Sequence, residues 1–141
     1  MCIFCDIIHG KLEGHVIYRN KFATVILDKY PISPGHTLIL SNTHYENFLE
    51  VSHEDICEIS KVISAVAKAV KDSVNSEGIR VLTNVGKSAG QVIFHFHTHV
   101  IPTWDDPPEE FKGFEPRKEQ GKEYYESLKN VISYNLRKYL L

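Results

Sequence analysis

The sequence lacks the features that direct a protein to a membrane, a nucleic acid or an oxidising compartment. Its formal net charge is only −2, so it has no general attraction for a nucleic-acid backbone or an anionic membrane surface. No apolar run approaches the roughly 20 residues that span a bilayer. The sequence also does not begin with a basic segment followed by a hydrophobic one. We therefore expect a cytoplasmic protein without nucleic-acid or membrane partners.

Cysteine is scarce as well, with three residues among 141. Three cysteines cannot all pair. Cys2 and Cys5 form a Cys-x-x-Cys arrangement, whereas Cys57 lies in a helical pattern and is expected to pack there. Without an export signal, this usage favours metal or redox chemistry over a disulfide framework. The chain is 43% apolar, which is enough to bury a core as one domain without disulfides.

Apolar periodicity predicts an α+β fold. Strand-like runs occur at residues 22–27, 37–40, 79–85 and 91–101. Between the second and third runs, apolar residues from Ile56 to Val70 recur every three or four positions, as in a helix. Ser52 and Asp55 resemble an N-terminal cap, and Gly78 is the predicted stop. We expect an antiparallel sheet with one long helix packed on it.

The character of the sequence changes after Pro102. Residues 105–123 are polar and contain prolines, which predicts an extended connection over the surface. Residues 124–141 then have a helical pattern, whose apolar face contains Tyr125, Leu128, Ile132, Leu136 and Tyr139. We expect a core domain at 1–104 and a C-terminal extension with a helix at 105–141, which is part of the same domain or docked on a partner subunit.

Three histidines, His95, His97 and His99, alternate within the apolar run GQVIFHFHTHVIP. On a strand they would share one face, with neighbours roughly 6.6 Å apart. Two adjacent histidines could meet one ligand, but the outer pair is too far apart to share an atom easily. The spacing therefore indicates several functions side by side. A merely solvated sheet face is less favoured, because each protonation would raise the charge beside the next histidine.

These segments together resemble the histidine triad superfamily of nucleotidyl hydrolases and transferases. The resemblance covers CIFCDII, ATVILDKYPISPGHTLIL, SNTH and LTNVGKSAGQVIFHFHTHVIP, whereas the chain after Trp104 matches only loosely. It implies a homodimer that acts on a purine nucleotide at the α-phosphate, through a covalent nucleotidyl-histidine intermediate. Adenosine phosphoramidates, aminoacyl adenylates and diadenosine polyphosphates all present such a phosphate.

The resemblance also implies residue roles. His97 matches the nucleophile, His99 matches the residue that contacts phosphoryl oxygens or the leaving group, and His36 matches a histidine that closes the phosphate site. The matching substrate-binding positions are Asp28, for ribose hydroxyls, and Asn84, Gly90 and Gln91, for the phosphate. Val92 stands where many members carry Ser or Thr, so a hydroxyl contact to the bridging atom is missing.

The paired cysteines match the zinc-bearing branch of this family. Two thiolates separated by two residues form half of a tetrahedral zinc site, and two histidines from elsewhere would complete it. The positions that match the zinc ligands are Cys2, Cys5, His44 and His95. The resemblance therefore implies a structural zinc ion, and the alternative is a reduced pair of cysteines near the N-terminus.

Three functions remain open from the sequence. The first is a nucleotide hydrolase that uses a covalent histidine intermediate. The second is a zinc hydrolase whose metal activates water. The third is a nucleotide-binding interaction protein in which catalysis is incidental. The sequence favours the first, because an open catalytic zinc would need a further ligand close to His-x-His, and the cysteines favour a closed site instead.

Overall fold

A computed structural model describes residues 2–140 and contains a sheet of five antiparallel strands. Residues 1 and 141, which end the predicted ranges 1–104 and 105–141, lie outside the described residues. The strands are β1 Val16–Arg19, β2 Ala23–Leu27, β3 Thr37–Ser41, β4 Gly78–Leu82 and β5 His97–Thr103. Their order in the sheet is β1-β2-β3-β5-β4. The α+β fold with an antiparallel sheet is confirmed.

Three α-helices accompany the sheet. They are α1 Ile3–Ile8, α2 His53–Val74 and α3 Lys122–Leu136. Short 3-10 turns lie at Phe48–Glu50, Lys87–Ala89, Glu109–Phe111 and Arg137–Tyr139. Within residues 2–140, each helix is too short or too polar to span a bilayer.

Helix α2 begins as predicted but ends earlier. The Ser52 hydroxyl accepts a hydrogen bond from the Asp55 N–H at 3.1 Å, which satisfies a free donor of the first turn. The helix ends at Asn75, whose φ of 52° is left-handed and whose N–H donates to the Lys71 carbonyl. Asparagine tolerates this conformation, so the chain reverses there. The predicted stop at Gly78 is wrong, because Gly78 already begins β4.

The strand predicted at 91–101 is wrong in its first half. Regular pairing begins at His97 and continues to Thr103. The preceding segment is held by the 45–46 segment instead: the Phe96 N–H donates to the Tyr45 carbonyl at 2.7 Å, and the Gln91 amide donates to the Glu46 carbonyl at 2.6 Å. His97 and His99 therefore share a strand face, while His95 lies in the loop before it.

Both faces of the sheet are covered. Helices α2 and α3 pack on the face that carries Val25, Ile39 and Val100, and they form the larger core with it. The short helix α1 packs its Phe4 and Ile7 side chains on the opposite face, beside residues such as Leu38. Cys57 is exposed on α2, so its predicted packing is wrong.

Helix α3 docks on the core of its own chain. Its buried residues are Tyr125, Leu128, Ile132 and Leu136, and the helix contacts α2 and β1. Tyr139 lies in the 3-10 turn that follows. We infer that residues 105–140 fold as one unit with the preceding residues.

We expect Ile132→Ala to lower the free energy of unfolding by about 3 kcal/mol, because truncation leaves a cavity in the core. The Ile132 side chain is 0% exposed, whereas Tyr134 on the same helix is 67% exposed. Tyr134→Ala is therefore the matched control and should change stability by no more than about 0.5 kcal/mol. Urea unfolding should show one transition at a lower midpoint for Ile132→Ala. A separate transition for the C-terminal helix would contradict the single unit.

Candidate active site and metal centre

A cavity of about 1250 Å³ lies over the sheet face that packs against α1. Strand β5 contributes His97, His99 and Ile101 to its lining, and α1 contributes Phe4 and Ile7. The cavity brings together six of the seven predicted catalytic and substrate-binding residues, namely Asp28, His36, Asn84, Gly90, His97 and His99. Residues far apart in the sequence thus meet in one concave site.

The His97 ring is oriented by the backbone. Its Nδ1 lies 2.7 Å from the His95 carbonyl oxygen. Because a carbonyl only accepts, Nδ1 carries the proton and Nε2 keeps a free lone pair in the neutral ring. Burial lowers the pKa of His97 below its ordinary value, and the carbonyl bond and Asp28 only partly oppose this effect. His97 is therefore a neutral imidazole at neutral pH.

His36 and His99 form a hydrogen-bonded pair beside it. The Ile32 N–H donates to His36 Nδ1 at 3.0 Å, so the proton of the neutral His36 ring is on Nε2. That nitrogen lies 2.9 Å from His99 Nδ1 and 3.4 Å from Asp28 Oδ2. His99 Nδ1 consequently accepts, and the remaining proton of the His99 ring is on Nε2. The His36–His99 pair is therefore a hydrogen-bond relay that aims a donor from His99, while Asp28 acts on this pair through its charge.

Both rings of this relay are uncharged at neutral pH. Burial, followed by the charges of His97, His36 and Arg80, lowers the pKa of His99 to about 3. The His36 side chain is almost fully buried, and this burial lowers its pKa although Asp28 acts in the opposite direction. The site can therefore donate hydrogen bonds to a phosphate without a protonated histidine.

Gln91 is the predicted substrate-binding residue that the structure does not bring to the cavity. Its buried side chain accepts from the Gly86 N–H at 2.9 Å and donates to the carbonyls of Glu46 and Ile93. These bonds commit its amide to the backbone, so Gln91 shapes the 86–93 loop. Gly90 has a left-handed φ of 98°, which favours glycine and lets the loop turn beside Asn84.

The four predicted metal ligands converge at a separate point. Their donor atoms all lie within 4.8 Å of one another. Cys2 Sγ is 3.3 Å and Cys5 Sγ is 3.5 Å from His95 Nδ1, while His44 Nδ1 is 3.4 Å from Cys5 Sγ and 3.1 Å from His95 Nδ1. Tetrahedral zinc with bonds of about 2.0–2.3 Å has ligand–ligand edges of roughly 3.3–3.8 Å. The donor set and its spacing therefore fit zinc.

A second layer of contacts orients the buried ligand. His95 Nε2 lies 2.7 Å from the Ser41 carbonyl oxygen, so it carries the proton and Nδ1 is free to coordinate. The Phe4 ring makes T-shaped contacts with the rings of both His95 and His97, at centroid distances of 5.9 and 5.0 Å. The metal centre and His97 are thus linked through one side chain and one carbonyl.

Sequence reasoning missed Ser41, Arg80 and Arg117. Ser41 acts through its carbonyl, which no residue type indicates. Arg80 reaches the cavity because its strand pairs with β5, and Arg117 reaches it from the connecting segment. A strand-pairing prediction could have found Arg80, whereas the local sequence around Arg117 contains no such signal.

Comparison with known proteins shows the family of this chain. The HIT domain family model matches residues 9–106. An uncharacterized HIT-like protein of Saccharolobus solfataricus is 50% identical over 132 residues, which cover 94% of this chain and 95% of that protein. The crystal structure of a hypothetical histidine triad nucleotide-binding protein from Sulfolobus tokodaii has a TM-score of 0.93 at 50% identity and covers 97% of this chain and 93% of its own.

A zinc-bound histidine triad family protein from Mycobacterium smegmatis is also similar in structure. Its TM-score is 0.80 at 27% identity, over 97% of this chain and 94% of that chain. The family model covers well over half of the chain, and the similarity to the Saccharolobus protein extends along nearly all of it. The chain belongs to the HIT, or histidine triad, family.

Proposed function

We propose that the protein is a nucleotide hydrolase or nucleotidyltransferase that cleaves at the α-phosphate of a purine nucleotide. The substrate is an adenosine phosphoramidate, an aminoacyl adenylate or a diadenosine polyphosphate, and the enzyme works as a cytoplasmic homodimer. The observation that carries the proposal is the 2.7 Å contact between His97 Nδ1 and the His95 carbonyl, which leaves a free lone pair on Nε2 at the cavity.

In the first step, the His97 Nε2 lone pair forms a bond to the α-phosphorus while the bond to the leaving group breaks. The leaving group departs with the bonding electrons, and an amine leaving group takes up one proton from solvent at its nitrogen as the bond breaks. The His99 Nε2–H donates a hydrogen bond to a phosphoryl oxygen or to the bridging atom, where negative charge develops. Asn84 lines the same cavity, and its side-chain amide supplies a further donor. Gly90 lines the cavity as well, but the N–H groups of Gly90 and Gln91 already donate to the Lys87 and Gly86 carbonyls.

In the second step, water attacks the nucleotidyl-histidine. A new oxygen–phosphorus bond forms, the phosphorus–Nε2 bond breaks, and a water proton is released to solvent. His97 recovers its lone pair, and its Nδ1–H remains on the His95 carbonyl throughout. An alcohol or a phosphate in place of water would give nucleotidyl transfer by the same chemistry.

We propose a structural zinc ion held by Cys2, Cys5, His44 and His95. Bound there, zinc would cross-link three separate chain segments and supply folding energy. The His95 side chain would then be fixed on one side while its carbonyl holds His97 on the other. Four protein ligands would complete the coordination of a closed site, which disfavours metal-activated water.

The direct test is rapid quenching of the protein with an adenosine phosphoramidate, followed by peptide mass spectrometry. We expect an adenylyl group on the peptide that contains His97, present during turnover and absent after substrate is exhausted. Turnover without that adduct would contradict the covalent mechanism. If none of the three substrate classes named above is turned over, the protein is better described as a nucleotide-binding interaction protein.

A further inference from the structure

Two arginines line the cavity without a role in the chemistry described above. Arg80 is on β4, and Arg117 is in the segment between β5 and α3, beyond residues 9–106 that the family model matches. Both are exposed. Among residues 2–140, neither guanidinium lies within 4.0 Å of a carboxylate oxygen. Two cations thus face the site without an ionic partner in the described part of the chain.

Arg117 is held at the cavity by its backbone. Its φ of 63° is left-handed, which is unusual for a residue other than glycine. Its N–H donates to the Pro31 carbonyl at 2.7 Å, and this bond ties the connecting segment to the loop that carries Asp28 and His36. Such strain persists only where surrounding contacts impose it, and it is common at ligand sites.

Residues that pair side by side across the strands form a row, and Arg80 lies in the row next to that of His99. Arg80 pairs with Ile101 and Leu82 pairs with His99, and directly paired residues share a face. The Arg80 row is therefore roughly 6.6 Å from the His99 row and about twice that from the His97 row. His36 precedes Thr37, which pairs with Val100, so it lies in the Arg80 row on the other side of β5.

The charged side chains of the cavity lining fall into two sets. Besides burial, Arg117 lowers the pKa of His36 and Arg80 lowers that of His99, so both guanidiniums act on the His36–His99 pair. Asp28 lies beside the same pair, and its Oδ1 already accepts the Tyr30 N–H at 2.8 Å. The other charged lining residues, Glu13, Lys29 and Glu119, act on His15. The whole lining has three cationic and three acidic side chains, so a further anion would be held by the local guanidiniums and not by a net charge.

The cavity also has room for more than a mononucleotide. Its volume of about 1250 Å³ exceeds the roughly 300–1,000 Å³ of ordinary ligand pockets. The proposed function assigns His97, His99 and Asn84 to the α-phosphate. Val92 lines the cavity with an apolar side chain, so it donates nothing to the group beyond.

We propose that Arg80 and Arg117 bind a second anionic group of the nucleotide, a phosphate or a sulfate, in addition to the α-phosphate. Guanidinium groups suit this role because their planar donors match phosphate oxygens in pairs. The second anion is carried either by the leaving group or by the ribose. This inference rests on the proposed function, because it assigns the α-phosphate to His97.

The test is calorimetric titration of the zinc-loaded protein with three probes: AMP, adenosine 5′-(α,β-methylene)diphosphate and adenosine 3′,5′-bisphosphate. We expect one bisphosphate to bind at least about tenfold more tightly than AMP, as for a charge-assisted hydrogen-bonded pair. Tighter binding of the methylene probe identifies the leaving group as the source. Tighter binding of the 3′,5′ probe identifies the ribose.

The variants are Arg80→Ala and Arg117→Ala, with Lys118→Ala as the matched control. Lys118 adjoins Arg117, is exposed and pairs with Glu115 at 2.9 Å, outside the cavity lining. In each arginine variant, the ratio of the Kd for AMP to the Kd for the tighter bisphosphate should fall at least about fivefold, as expected when one charged partner is removed. The lysine variant should keep the preference. Arg80→Lys and Arg117→Lys, which retain the charge, should recover part of it.

A wild-type protein that binds neither bisphosphate more tightly than AMP overturns the inference. It is also overturned if the preference survives either alanine substitution, or falls equally in Lys118→Ala. Turnover of a phosphoramidate with a neutral amine leaving group is measured in parallel. If turnover is normal but neither bisphosphate binds more tightly than AMP, only the role of the two arginines is rejected. If a bisphosphate binds more tightly but no turnover occurs, only the proposed function is rejected.

Discussion

Replacing His97 with alanine is expected to lower kcat for an adenosine phosphoramidate by about 10⁵-fold or more, as for other nucleophiles of covalent catalysis. The variant loses the Nε2 lone pair, whose direction is set by the hydrogen bond from His97 Nδ1–H to the His95 carbonyl. His99 does not replace it, because His99 Nδ1 faces His36 at 2.9 Å and the remaining nitrogen carries a proton. Stopped assays with a sensitive fluorescent leaving group measure the residual rate.

The fold should survive this substitution. His97 is half-buried on the cavity face, and its side chain makes one hydrogen bond, from Nδ1 to the adjacent loop carbonyl. The opposite face, where Phe96 and Val100 join the larger core, is unchanged. Circular dichroism and AMP binding should therefore remain close to those of the wild type, so the loss appears in kcat.

His53→Ala is the matched control, because His53 is exposed at the start of α2 and away from the cavity lining. Its kcat should equal that of the wild type. Full activity in His97→Ala would contradict the covalent mechanism. Metal-activated water predicts a different pattern, in which the alanine variant keeps substantial activity as long as the metal is bound.

The pattern of apolar residues was sufficient to predict much of this architecture. Alternation predicts a strand at residues 22–27, and the structure has it at Ala23–Leu27. The three-to-four spacing predicts α2 with its Ser52 cap. The apolar face of α3 is buried as its period indicates. These features depend on local periodicity, which one segment of sequence contains. Strand β1 has a mixed, partly buried pattern and only four residues, so periodicity did not predict it.

Features that depend on distant partners were not predictable in this way. The start of β5 is decided by Phe96 and Gln91, which bond to the 45–46 segment instead of extending the strand. A local pattern contains no information about that partner. The same holds for the His36–His99 relay and for Arg117, whose position depends on the Pro31 carbonyl. The resemblance to the family supplied residue identities for the site, and the fold supplied tautomers and contacts.

Loss of the metal centre is expected to destabilise the protein before it affects the chemistry. The donors come from α1, from the loop after β3 and from the loop before β5, so a bound ion closes loops of 39 and 51 residues. Helix α1 has only six residues, and a helix of that length is not stable alone in water. Zinc at 100–1,000 times its Kd would stabilise the fold by roughly 3–4 kcal/mol.

We therefore expect Cys5→Ser to lower the Tm by about 10 °C, at roughly 3 °C per kcal/mol for a chain of this size. Metal analysis of the untagged, reduced wild type should give about one zinc per chain, and the variant should retain little. Cys57→Ser is the matched control, because Cys57 is a free, exposed cysteine on α2. It should keep both the zinc and the wild-type Tm.

Cys5→Ser should also have a lower kcat, as a secondary effect. At temperatures below the melting transition we expect a loss of about tenfold, which is typical when a group that positions the site is disturbed. Two contacts connect the metal centre to His97. Helix α1 carries Phe4, whose ring centroid lies 5.0 Å from the His97 ring centroid, and His95 carries the carbonyl that holds His97 Nδ1. A displaced α1 shifts both supports of the nucleophile without removing it. The adenylyl adduct on His97 should consequently still form in the variant, only more slowly. If chelation stops turnover outright in a protein that circular dichroism shows to be folded, and no adduct forms, the metal acts in the chemical step and the structural role assigned to it is wrong.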